Sequence, residues 1–186
     1  MKTVALTALL IFAVIVISAP KPVAAQGPAT APVTASIQAE MLKDWTDLKD
    51  TLMKIANEMP AEGYSFKPTP PQETFGRRVV HIGVGANRFL QLLGAKAAAP
   101  KVDAAAAAMR KETAMKAMAD TFDYGIAILK EQTDQTMMQT VDVPFLGASS
   151  RARVFTFLIG HTWDLYGQLG VYLRLQGHVP PASQRP

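Results

Sequence analysis

From Ala35 onward, bulky apolar residues recur every three or four positions, and this rhythm constrains the fold more than any other feature. Ile37, Met41, Trp45, Leu48, Leu52, Ile55 and Met59 alternate spacings of four and three. A helix turning about 100° per residue gathers them on one face. Lys43, Asp44, Asp47, Lys49, Asp50 and Lys54 fall off that face, toward solvent. Pro60 ends the segment, because it has no N–H to continue the ladder.

The rhythm returns three times. Phe75, Val79, Ile82, Ala86, Phe89 and Leu93 define a second helix, starting near Thr74 and closed by Gly94 and Pro100. A third is expected over Val102 to Thr133; its first half is rich in alanine, and its second half carries Met115, Met118, Phe122, Ile126 and Leu129. The fourth follows Ser149 and Ser150, both good N-caps, with Val154, Leu158, His161, Leu165, Gln168, Tyr172 and Leu175 as its seam. Gly177, Pro180 and Pro181 stop it. Between the first two helices, Gly63, Pro68, Pro70 and Pro71 force irregular backbone, with Tyr64 and Phe66 expected to fold back on the bundle. Only Val141-Asp142-Val143 hints at a strand, and it is too short to predict one. The fold class is therefore all-α, a four-helix bundle spanning 35–183. Gly83 and Gly85 follow no strand and precede no Gly-Lys-Ser/Thr, so they are no phosphate loop; close helix approach is the expected use.

Composition narrows the function. The chain has 186 residues, one domain's length, and 49% are apolar, enough for a sizeable core. It has no cysteine, so disulfides and thiolate metal sites are excluded. The net charge of +4 includes Lys2 and Lys21; without them it is +2, with no basic cluster to attract nucleic acid.

Met1-Lys2 followed by the uncharged run Val4 to Ile17 has the form of an export signal. Val23-Ala24-Ala25 supplies small residues for cleavage, giving residues 1–25 as the signal and a mature chain starting at Gln26. The alternative is an uncleaved membrane anchor. Residues 26–34, with Gly27, Pro28 and Pro32, read as a flexible linker. A periplasmic or secreted domain follows, in contact with a membrane only through the signal before cleavage.

Three histidines are available: His81, His161 and His178. His161 lies in the seam of the fourth helix, where a hydrogen-bonded core histidine is the simplest account. His81 sits roughly 120° from the centre of the second helix's stripe, so it faces a flanking helix or the bundle mouth. His178 falls in the proline-rich tail and is expected to be exposed. Ser149, Ser150 and Ser183 lie in no nucleophile elbow. Asp120, Asp123 and Asp164 have the placement of a solvated helix face, and no paired Glu-x-x-His motif occurs.

Three segments carry a resemblance to a known family. Met59-Pro60 through Tyr64-Ser65-Phe66-Lys67-Pro68 is one. Phe75-Gly76 through His81-Ile82 to Ala86-Asn87-Arg88-Phe89 is the second. His161 through Tyr166-Gly167-Gln168, Leu173-Arg174-Leu175 and Val179-Pro180-Pro181 is the third and most specific. Together they resemble the DinB-like (DinB/YfiT) four-helix proteins over Ile37 to Ser183. The resemblance implies an up-down-down-up bundle, often a homodimer; apolar residues off the main stripes, such as Val80 and Val84, accord with the latter. It also implies a divalent metal, zinc or nickel, held by three histidines, one from the second helix and two, four residues apart, from the last. His81 and His161 match two of those positions; the third is Leu165, which cannot coordinate a metal. Asp164 is about 100° around the helix from that position.

Two functions are expected. In the first, the metal site is degenerate and the domain has a binding or structural role, with an unknown small molecule near the two histidines. In the second, the chain is a divalent-metal-dependent transferase or hydrolase. There His81 and His161 hold the ion with water or a non-histidine ligand, and Tyr64 or Tyr166 orients substrate.

Overall fold

The computed structural model describes residues 35–144 and 146–184; the expected signal (1–25) and linker (26–34) lie outside them. In chain order the elements are α1 (Ile37–Glu58), α2 (Phe75–Leu90), α3 (Ala104–Ala107), α4 (Lys111–Lys130), α5 (Asp134–Met137), β1 (Thr140–Val143), β2 (Gly147–Ser150) and α6 (Arg151–Leu175). Three of the long helices start on side-chain caps. The oxygens of Ser36, Thr74 and Ser150 accept from the N–H groups of Ala39, Arg77 and Arg153. Each cap stabilises its helix by about 1 kcal/mol.

Contacts along the helices fix their directions. Gln38 donates to the Leu129 carbonyl and Lys111 to the Asn57 carbonyl, so α1 and α4 run antiparallel. Gly76 lies against Ala108 and Gly83 against Met118, so α2 and α4 run parallel. The Tyr172 hydroxyl donates to the Glu73 carbonyl while Phe89 packs on Phe157, so α2 and α6 run antiparallel. The result is an up-down-down-up bundle, with α4 packed on both α1 and α2.

Trp45 anchors the core. Its ring stacks on Phe122 at 4.5 Å, meets Phe155 edge-on at 5.3 Å, and its Nε1–H donates to the Phe122 carbonyl at 3.1 Å. Only glycine fits beside it: a Cβ at Gly125 would come within 2.7 Å of Trp45 Cε2. Tyr64 folds back as expected, its hydroxyl donating to the Ala56 carbonyl at 2.9 Å. Burial pushes its pKa well up, with a further contribution from Glu112. A buried, hydrogen-bonded Tyr64 holds the loop to α1 and does not line the cavities described below.

Three expectations need correction. The third helix is broken: Asp103 caps α3 through the Ala105 and Ala106 N–H groups, and Arg110 is extended (φ −139°) before α4 begins. Alanine favours helix but buries too little to enforce one long rod. At its far end the chain leaves α4 at Lys130, and Thr133 caps α5 instead. Second, β1 and β2 form an antiparallel ribbon, pairing Thr140 with Ser150 and Val143 with Gly147. Gly-Ala-Ser-Ser has little strand propensity; a reversal through Gly147 at φ 64° brings the two segments together. Third, the seam of α6 drifts. Val154, His161, Gln168 and Leu175 are seven residues apart, and a straight helix rotates such a series by about 20° per step. Val154 is buried, His161 and Gln168 are half-buried, and Leu175 is 58% exposed; Leu169 and Leu173 take over the core.

Candidate functional site

The drift places His161 at the edge of the core, where α6 meets α2. His81 projects from α2 toward the same edge. The two rings, 80 positions apart in sequence, lie 5.8 Å apart between centres and nearly perpendicular at 75°. Periodicity alone did not pair them; the antiparallel crossing of α2 and α6 does.

The histidines open into a cavity of about 450 Å³. Phe89, Leu92, Phe157 and Pro144 supply its apolar wall, and Arg88 is the one charged side chain among the described lining residues. Phe157 lies parallel to His161 (3°, 6.2 Å between centres) and packs on Phe89 at 5.4 Å. Gly85 is part of the lining, and a Cβ there would meet only His81 Nε2, at 4.0 Å. Gly83 does allow close helix approach, since its Cβ would lie 3.0 Å from Met118 Cα; Gly85 leaves cavity space instead.

His81 has its pKa held below the ordinary imidazole value. Desolvation is the main cause, with repulsion from His161 and Arg78 next. At neutral pH the ring is therefore uncharged and carries a free nitrogen lone pair.

Of the other sequence candidates, Leu165 is 1% exposed, a core residue outside the cavity lining. Asp164 accepts from Gln168 at 2.9 Å. Asp120 and Asp123 pair with Lys116 and Lys49 on the surface. Tyr166 packs edge-on against Trp163 at 5.3 Å, and His178 is half-buried; neither lines the cavity. Val80 is buried and Val84 half-buried, so neither forms an exposed oligomer face. Sequence reasoning missed Arg78, Arg88 and Phe157 as site residues. Arg78, His81, Gly85 and Arg88 step along α2 at spacings of three and four, a pattern that could have marked one face.

A shared metal ion holds two imidazole centres roughly 5–6.4 Å apart, given metal–nitrogen bonds of about 2.1 Å. The observed 5.8 Å meets that condition. The donor set is short, however: among the described residues no three His, Asp or Glu side chains converge. Arg78 and Arg88 add positive charge near the pair. The residues present thus fit a weak two-nitrogen contact and not a resident three-ligand ion.

A parallel pair of central helices, with a histidine pair where α2 crosses α6, defines a four-helix bundle with a lateral, aromatic-walled cleft. The DinB family model matches residues 31–186, and the chain belongs to the DinB family. Two solved structures share the fold. A DinB-like protein from Bacillus cereus is 21% identical, with a TM-score of 0.64 over 78% of this chain and 96% of that one. A DinB-like protein from Bacillus subtilis, YjoA, is 18% identical, with a TM-score of 0.58 over 78% and 99%. No curated protein matches by sequence.

Proposed function

We propose that this chain is an exported binding protein whose small-molecule ligand occupies the cavity between α2 and α6. The cavity itself carries the reading: about 450 Å³ walled by Phe89, Phe157 and Leu92, with two imidazoles at one end. Its volume and mix of apolar wall with few polar groups match small-ligand sites in general. The metal site of the family is degenerate here, because Leu165 replaces the third donor.

Titration of the mature, tag-free chain with the apolar dye anilinonaphthalene sulfonate tests this. Saturable one-to-one binding is expected in the wild type and its loss in folded Gly85→Leu, which fills the lining from α2. Equal binding by both proteins would refute the proposal.

A second reading draws on the 5.8 Å ring separation: a divalent-metal-dependent transferase or hydrolase in which His81 and His161 hold zinc or nickel with water. Near-stoichiometric metal in the purified chain, lost in His161→Ala, would favour it over the first. A homodimer belongs to the proposal as well. Trp163, Val171 and Leu175 are exposed and share a row on α6. Light scattering should show a dimer in the wild type and a monomer in Val171→Glu; a wild-type monomer would refute it.

A further inference from the structure

His81 borders a second pocket besides the aromatic one. This pocket, of about 320 Å³, is lined by Glu73, Arg77, Arg78, Val80, Val84 and Ala104. His81 lines both pockets and is the wall they share. Their chemistry differs. The first is aromatic and aliphatic; the second sets two guanidinium groups and one carboxylate among small aliphatic side chains.

The arginines are not equivalent. Arg77 Nε donates to Glu73 Oε2 at 3.0 Å, an exposed pair in which Glu73 lies just before the Thr74 cap of α2. Arg78 has no such partner. Its Nε is buried without a hydrogen bond, and its side chain pairs with no other described residue. Arg78 nevertheless lines the pocket, and a planar oxyanion there would meet the forked donor geometry of its guanidinium. Glu73 at the same pocket disfavours a doubly charged group more than a singly charged one. A carboxylate suits these constraints better than a phosphate monoester.

We propose that the two pockets form one bipartite site for an apolar carboxylate. Its carboxylate binds Arg78, with Arg77 at the rim, and its chain or ring passes His81 into the aromatic cavity. This rests on the cavity's being a ligand site, and it names the ligand's class.

Calorimetric titration of the mature chain with decanoate, decanol and decyltrimethylammonium tests the inference. Decanoate is expected to bind about ten-fold tighter than decanol, and the cation more weakly than either. Arg78→Gln should remove the advantage of decanoate while leaving decanol binding unchanged; Arg78→Lys should keep part of it. Equal affinity for decanoate and decanol, or an unchanged decanoate affinity in Arg78→Gln, would overturn the inference. Circular dichroism of each variant confirms the fold. Failure of the aromatic cavity shows separately, as no binding of decanol. The anion pocket is then read with acetate, through the His81 ring signals in NMR spectra. Shifts that vanish in Arg78→Gln support it, and their absence in the wild type overturns it.

Discussion

Gly83 and Gly85 stand two residues apart on α2, yet the same substitution should act on them with opposite sign. Glycine in a helix interior is less stable than alanine by about 0.5–1 kcal/mol, because the unfolded chain is freer. Gly85→Ala should recover that difference outright, since the new methyl meets nothing nearer than His81 Nε2 at 4.0 Å. For a domain of this size the melting temperature should rise by roughly 1–4 °C. Gly83→Ala gains the same intrinsic term. Its Cβ, however, would sit 3.0 Å from Met118 Cα and 3.1 Å from the Ala117 carbonyl oxygen. Those are backbone atoms of α4 and cannot rotate away, so α2 and α4 must separate. Overpacking of this kind costs about 1–3 kcal/mol, which leaves a net loss of about 1 kcal/mol. Urea unfolding followed by circular dichroism measures both, and the dye titration of Gly85→Ala reports reduced affinity as the cavity shrinks. Two stabilised variants would refute the close parallel packing of α2 on α4; a destabilised Gly85→Ala would refute the open space beside His81.

The other predictions concern the histidines and the Trp45 anchor. His81 is depressed in the folded state, so folding is favoured above the unfolded imidazole pKa, and that contribution falls away as pH drops through the lower folded value. His81→Gln should flatten the fall in stability on the acid side of neutrality; an unchanged slope would deny His81 its shift. Gly125→Ala should destabilise by about 2–3 kcal/mol by displacing the Trp45 ring, and Trp45→Phe should partly relieve it in a double-mutant cycle. Strict additivity of the two would show that they do not touch. Leu165→His should destabilise the metal-free chain by about 3 kcal/mol, since it removes a buried apolar side chain and adds a polar ring. Zinc should restore stability through His161 if position 165 reaches the pair; no rescue by zinc would place it out of reach.

The helical rhythm made most of the bundle legible. Ser36, Thr74 and Ser150 start their helices where side-chain oxygens can cap free N–H groups. Trp45, Leu48, Leu52, Ile55 and Met59 are all buried, as their spacing required. What failed to show was anything set by partners distant in sequence. The ribbon depends on a pairing across a turn, and Gly-Ala-Ser-Ser announces none of it. The break before α4 depends on Asp103 and Arg110, and an alanine run conceals both. Periodicity made the histidines legible as two residues and not as a contact; only the family resemblance put His81 and His161 at one site. Whether His81 faces His161 is decided by the crossing of α2 and α6, which one-helix periodicity does not contain.

The same limit explains why the site is a cleft and not a core. A series stepping by seven keeps its face only in a supercoiled helix; in a straight one it walks around the surface. His161 is the second step of such a series, partway from the buried Val154 to the exposed Leu175. It therefore sits where the core gives way to solvent, beside Phe157, and there His81 can meet it. Leu165, at a core position, contributes apolar burial of about 2–3 kcal/mol. An imidazole at that position would forgo that burial and be desolvated, a cost that a bound ion offsets and an apolar ligand does not. Leucine there is consistent with a cleft that holds an apolar molecule. In the proposed binding role, His81 and His161 form the polar end of that cleft, between an aromatic wall and an unpaired arginine.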